Sequence, residues 1–227
     1  MTTVSNTTFT RNDLIDLLRQ AQPVTHFDQC SFDGQDLSSL DLQNVRFTAC
    51  SLLETRLSHS TLIDTSWERC KIGLGNFELA DLTGAQFMAC DLHMTKWTRA
   101  RLSSATFADS KLTGASFLEA RSLGLTLRNC RLVSSNLRGL SFRKQTLEQL
   151  DFSDADLAGC DFRDTVFIGG SLRRASLKGA QFQGADLRTV ELGAITVYDL
   201  SSCLHGSVIS PEQGEQLLES LGVLVRS

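Results

Sequence analysis

From Phe27 to Val197 every fifth residue is apolar: Phe27, Phe32, Leu37, Leu42, Phe47, Leu52, and so on to Leu187, Leu192 and Val197. Of the 35 positions in this series only Ser122 is polar, and the register never slips. A period of five matches neither the 3.6 of a helix nor the 2 of an ordinary strand. A chain built this way must turn in the same sense every five residues, and repetition at a fixed step decides its fold before any motif does.

A second regularity sits two residues before each apolar centre. There, 26 of 35 positions hold Ala, Cys, Ser, Thr or Gly, as in Ala80-Asp81-Leu82-Thr83-Gly84 and Ala155-Asp156-Leu157-Ala158-Gly159. One large and one small inward residue per five fill a narrow interior and leave three positions for solvent. These blocks resemble the A(D/N)LXX unit of the pentapeptide-repeat family, and the resemblance covers about three quarters of the chain. It implies an all-β fold, a right-handed quadrilateral β-helix, which here would run about nine coils with short capping helices at both ends.

The cysteines argue independently for four sides per coil. Cys30, Cys50, Cys70, Cys90, Cys130 and Cys160 all occupy the small inward position, and the first five fall at intervals of twenty or forty. A twenty-residue coil stacks those five in one column with a rise of about 4.8 Å. That separation permits a disulfide by distance alone, but stacked side chains point the same way, so the thiols read as reduced apolar filler. No C-x-x-C or Cys/His cluster suggests a metal site.

The sequence divides into 1–23, 24–205 and 206–227. In the first segment Thr10-Arg11-Asn12-Asp13 predicts a helix start, with Leu14, Ile15, Leu17, Leu18 and Ala21 as its apolar stripe and Pro23 at its exit. This helix is expected to cover the open end of the first coil. In the last segment Ser210-Pro211-Glu212-Gln213 starts a second helix. Leu217, Leu218 and Leu221 form its buried face, Gly222 stops it, and Val223-Leu224-Val225 reads as a short strand. Such an end cap also offers a two-fold contact through Leu217, Leu218, Leu221, Val223 and Val225.

Three stretches depart from the pattern. Ile72-Gly73-Leu74-Gly75 is expected to hold a local bend. Around Ser122 the centre is polar, with leucines beside it. At Leu140, Gln145 and Leu150 the small position carries bulky residues, so Arg143, Lys144 and Gln145 are candidates for an outward bulge or contact loop.

No stretch approaches the ~20 apolar residues of a membrane span. The first residues lack a basic and then apolar leader, so a cytoplasmic protein is expected. His26, His59, His93 and His205 share no metal spacing. Cys203 with His205 is the nearest approach to a nucleophile pair, and it lacks an orienting acid. Without a phosphate-binding loop, nucleophile elbow or zinc-protease motif, the chain reads as a non-enzyme with no catalytic residues, metal or cofactor.

The ending LLxxLG followed by aliphatic residues is similar to that of the Qnr quinolone-resistance proteins within the family. The resemblance to the Qnr and MfpA type implies a homodimer joined at its C-terminal ends, whose surface mimics DNA and binds DNA gyrase or topoisomerase IV. It also extends to immunity-type proteins that protect a topoisomerase from a toxin. The charge pattern bears on this: residues 1–95 carry net −6, 96–146 net +8 and 147–227 net −6. Asp151, Asp154, Asp156, Asp161, Asp164, Asp186 and Glu191 are the candidate acidic surface, suited to a basic DNA-holding groove. Asp154 and Asp164 stand outside the consensus acidic position of the repeat. Direct nucleic-acid binding is not expected, since Trp67 and Trp97 take core positions and leave no exposed aromatic platform. The alternative reading is a general protein-interaction scaffold or delivered effector.

Overall fold

The structure, a computed structural model, describes residues 2–20, 24–193, 195, 201–220 and 222–225. It falls into two compact units, Met1–Cys130 and Arg131–Ser227. In the first, β1 (Thr2–Ser5), β2 (Val24–Asp28), β3 (Arg46–Thr48), β4 (Ser66–Glu68), β5 (Gln86–Met88), β6 (Thr106–Ala108) and β7 (Thr126–Arg128) pair in parallel, each with the next. In the second, β8 (Thr146–Glu148) pairs in parallel with β9 (Val166–Ile168). Single-residue rungs supply the other three sides: Ser31 pairs with Ser51, Asp36 with Arg56 and Asp41 with Thr61, all twenty residues apart. Each unit is therefore a parallel β-solenoid with four sides per coil.

A corner follows the apolar centres by two residues, and at most of those described the backbone is left-handed even without glycine, as at Glu54 (φ 56°), Arg99 (φ 55°) and Asp154 (φ 58°). That conformation costs roughly 1–2 kcal/mol per non-glycine residue. It is held by hydrogen bonds from coil to coil, such as Leu52 N to Lys71 O at 2.7 Å and Lys71 N to Cys50 O at 2.9 Å. Where the consensus Asp or Asn precedes the centre, its side chain accepts the amide two residues on, as Asp81 does from Thr83 and Asp91 from His93, both at 3.2 Å. This local turn fixes the corner.

The interior is filled by stacked side chains. Trp67 lies between Phe47 (4.0 Å, 8° interplanar) and Phe87 (5.6 Å), and Trp97 between Phe77 (4.1 Å) and Phe117 (5.9 Å). Such stacked pairs add about 0.5–1.5 kcal/mol each beyond their area. Each indole N–H donates to the threonine two residues earlier, Trp67 to Thr65 at 2.9 Å and Trp97 to Thr95 at 2.8 Å. All seven cysteines are free and buried. In the twenty-residue column each thiol donates to a carbonyl, for example Cys70 Sγ to Phe47 O at 3.4 Å. Burial pushes the Cys130 thiol up to about 11 and the Cys160 thiol up to about 12.

Both terminal helices start where their sequences predict. Thr10 caps α1 (Arg11–Leu18) in a reciprocal box, with Asp13 N donating to Thr10 Oγ1 and Thr10 N to Asp13 Oδ2. The Arg11 guanidinium donates to the carbonyls of Asp36 and Ser38 on the first coil's open edge. Ser210 and Gln213 form the same box at the start of α2 (Pro211–Ser220). The Gln213 amide then donates to the carbonyls of Leu187 and Val190 at 2.8 Å, which seats α2 on the last coil.

Several expectations are corrected. Residues 1–23 hold more than a helix: β1 adds a strand to β2, and Phe9 stacks on Phe32 at 5.2 Å. The solenoid of the second unit keeps the twenty-residue step from β8 to β9. Its register does slip near the end, for Val166 pairs with Asp186 at twenty residues but Asp186 with Val208 at twenty-two. Leu204 is buried in that wider turn; Val197, like Ala21 and Pro23, lies outside the described residues. The Ile72–Gly75 segment forms a turn like its neighbours, and Gly73 fits because His93 of the next coil lies against it, where a β-carbon would meet Cε1 at 2.1 Å. Arg143, Lys144 and Gln145 form no bulge: Gln145 N bonds Phe142 O, Lys144 N bonds Arg163 O, and the half-buried Gln145 side chain is not trapped in the core. In the tail, Leu217 is buried but Leu218 is 44% exposed. Val223, Leu224 and Val225 are exposed and belong to no strand, while Leu221 lies outside the described residues.

Candidate protein-binding surface

The seven candidate acids all lie in the second unit, five of them on rungs that together take in all four sides and two at corners. Asp151 and Glu191 share one column of rungs, with Ser171 between them; Asp156, Asp161 and Asp186 each stand in a different one. The repeat explains this, because a step of five residues moves a side chain one face around the coil. A cluster along one face requires a step of twenty.

Six of the seven also carry a basic partner. Asp154 accepts two bonds from Arg174 at 2.6 and 2.7 Å. Asp161 accepts two from Arg163, at 2.9 and 2.8 Å, and Asp186 two from Arg188, at 2.9 and 2.6 Å. Asp156 pairs with Arg138 at 3.0 Å, Glu191 with Arg173 at 3.3 Å, and Asp164 with Arg143 at 3.7 Å. The Arg174, Arg163 and Arg188 guanidiniums hold Asp154, Asp161 and Asp186 below the ordinary carboxylate range. Asp151 has no ion pair among the described residues and accepts the amide of Ser153 at 3.0 Å.

The aspartates sort by position in the repeat. Asp151, Asp156, Asp161 and Asp186 precede a centre and each fixes its corner by accepting the amide two residues on. Asp154 and Asp164 occupy the left-handed corner itself, at φ 58° and 57°, and hold no turn. The second unit carries 10 basic and 12 acidic residues, net −2. The net −6 of residues 147–227 omits Arg131, Arg138, Arg143 and Lys144, and two of these arginines neutralise acids of that zone. Arg143 and Asp164, singled out in the sequence for different reasons, are thus brought together.

The tail presents Leu218, Val223, Leu224 and Val225, with Leu224 80% exposed. Cys203 and His205 make no nucleophile pair: Cys203 is buried with Sγ 3.2 Å from Ser202 Oγ, and His205 is exposed. No helix among the described residues is long and apolar enough to cross a membrane.

Comparison with known proteins places this geometry. Residues 24–97 match the family described as "Pentapeptide repeat region", and residues 80–117, 127–164 and 155–192 match "Pentapeptide repeats (8 copies)". No curated protein matches the chain in sequence. Among solved structures, a trypsin-treated form of QnrB1, a plasmid-mediated fluoroquinolone resistance protein, superposes with a TM-score of 0.64 at 20% identity, covering 99% of this chain and 98% of that one. Full-length QnrB1 gives 0.63 at 18% identity, with 97% of each covered. HetL of the cyanobacterium Nostoc sp. strain PCC 7120, involved in heterocyst differentiation regulation, gives 0.51 at 17% identity, covering 88% of this chain and 92% of HetL. At these identities the likeness establishes the fold.

Proposed function

The chain belongs to the pentapeptide-repeat family, and from that premise we propose that it acts by surface recognition, without catalysis, binding bacterial DNA gyrase or topoisomerase IV and protecting it from a topoisomerase inhibitor. The carrying observation is that the likeness to QnrB1 runs over 99% of this chain and 98% of that one. On this reading the carboxylates of the second unit meet the basic groove that holds duplex DNA, and binding there competes with the inhibitor-trapped complex. The protein would work in the cytoplasm, where those enzymes act.

The partner must draw Asp154, Asp161 and Asp186 away from arginines of this chain. Recognition is then an exchange of ion pairs, unlike the docking of a bare acidic face. Asp151, with no ion pair among the described residues, is the readiest contact. We assign the homodimer contact to Leu218, Val223 and Val225 at the exposed C-terminal end. A Leu218→Arg variant should then be monomeric by light scattering, and unchanged dimerisation would move the contact elsewhere.

A second reading, a protein-interaction scaffold with some other partner, is favoured by the pairing of six of the seven acids, which leaves little uncompensated charge for DNA mimicry. A gyrase supercoiling assay separates the two. Under the leading proposal the protein inhibits supercoiling alone, or restores it in the presence of a quinolone or peptide poison. Neither effect at micromolar protein would leave the scaffold reading.

A further inference from the structure

Charges on adjacent rungs of the solenoid are matched. Asp36 faces Arg56, Lys71 faces Asp91, Asp91 faces Lys111, and Arg131 faces Asp151. One described rung within the two units breaks the rule: Arg101 pairs in parallel with Arg121. Two arginines whose backbones sit on neighbouring rungs, a strand spacing of about 4.8 Å, repel each other and are unfavourable unless a counter-charge lies between them.

The local carboxylates do not supply it. Asp81 lies on the far side of Arg101, with Oδ2 3.2 Å from Nη1, and its Oδ1 accepts from Thr83. Glu119 is taken by Arg99 Nε at 2.7 Å. The Arg121 guanidinium has no partner among the described residues. These side chains, with Leu79, line one groove of about 560 Å³ that runs along a corner of the first unit across several coils. That volume is in the range of small-molecule sites. The groove holds three arginines against two carboxylates, with His59 at one end.

We propose that this groove binds a small oxyanion ligand, a molecule presenting a phosphate or carboxylate group, held between Arg101 and Arg121 with its less polar body against Leu79. Guanidinium forks bind such groups through paired, charge-assisted hydrogen bonds. Arg121 contributes all its donors, and Arg101 those that Asp81 does not use. The site is independent of the acidic residues of the second unit and of any topoisomerase contact.

Calorimetric titration of the whole protein with inorganic phosphate and, separately, with citrate tests this, with ionic strength held constant by sodium chloride. Saturable one-to-one binding of at least one is expected, and the tighter of the two identifies the preferred oxyanion. Arg121→Gln should weaken binding by about tenfold or more, while Arg128→Gln on the strand face leaves it unchanged. A thermal melt without ligand should show Arg121→Gln at least as stable as the parent, since it removes the repulsion. No saturable binding of either anion, or equal affinity in Arg121→Gln, overturns the proposal.

Discussion

Asp154 Oδ1 and Oδ2 accept hydrogen bonds from Arg174 Nε and Nη2 at 2.6 and 2.7 Å, across one coil of the solenoid. The pair is exposed, so its contribution to stability is small and screened by salt. Its larger consequence is for recognition, because a basic partner must compete with Arg174 for the carboxylate. Under the proposed function, Arg174→Ala should strengthen binding to gyrase and Asp154→Lys should weaken it, with both variants melting near the parent. Weaker binding by Arg174→Ala would mean that the arginine, not the acid, is the contact.

Acid stability follows from the same pairs. Hydrogen bonds from Arg174, Arg163 and Arg188 are the first cause lowering Asp154, Asp161 and Asp186 below the ordinary value of 3.8. A carboxyl whose folded value is depressed stabilises the native state above its unfolded value, and that contribution is lost as pH falls through the folded one. These three pairs therefore add no pH dependence near neutrality and lose their effect below 3.8. Urea melts of a triple Arg-to-Gln variant at positions 163, 174 and 188 should show a shallower acid decline than the parent. Parallel declines would assign acid sensitivity to other groups.

The tryptophan columns make a prediction about polar satisfaction in a buried core. Thr65 Oγ1 donates to Leu62 O at 2.8 Å and accepts from Trp67 Nε1 at 2.9 Å, and both side chains are fully buried. Thr65→Val keeps the volume but leaves the Trp67 indole N–H without an acceptor, while Leu62 O keeps the Thr65 backbone N–H at 3.3 Å; the unpaired donor costs roughly 1–3 kcal/mol. Equilibrium urea unfolding measures it, and a loss under about 0.5 kcal/mol would show that the indole finds another partner.

Leu150 occupies a position held by a small residue in most repeats, and Gly170 of the next coil lies against its main chain. That glycine has φ +85°, and a β-carbon on it would lie 2.3 Å from Leu150 O. Gly170→Ala combines a strained backbone with a main-chain clash and should destabilise by about 1–3 kcal/mol or more. Gly179→Ala, where nothing lies within 4 Å, isolates the effect of φ alone. Equal losses in the two would remove the clash from the explanation.

The repeat core was legible because its signal is periodic and each apolar centre from Phe27 to Leu192 is buried as the period requires, with only the polar centre Ser122 half-buried. The cysteine column gave the number of sides for the same reason. The strand β1 was missed although Val4 and Phe9 stand five residues apart, because α1 intervenes and sets the next partner, Phe27, 23 residues after Val4. The widened last turn was hidden because Leu192 and Val197 keep the pattern while the pairing shifts by two. The surface was least legible. Net charge over a stretch cannot reveal that Asp154 meets Arg174 one coil later or that Asp161 meets Arg163 two residues on. The first pairing follows only when the twenty-residue coil is applied to the outward side chains as well as to the core, and the second from the local turn that brings residues two apart together.

Under the proposed function this chain occupies the DNA-holding groove of a type II topoisomerase. Fluorescence anisotropy of a labelled DNA duplex bound to gyrase, titrated with the protein, tests it most directly. The duplex should be displaced in a saturable way, and Arg174→Ala should displace it at lower concentration than the parent. Anisotropy that stays at the bound value while the protein is added in excess would contradict it.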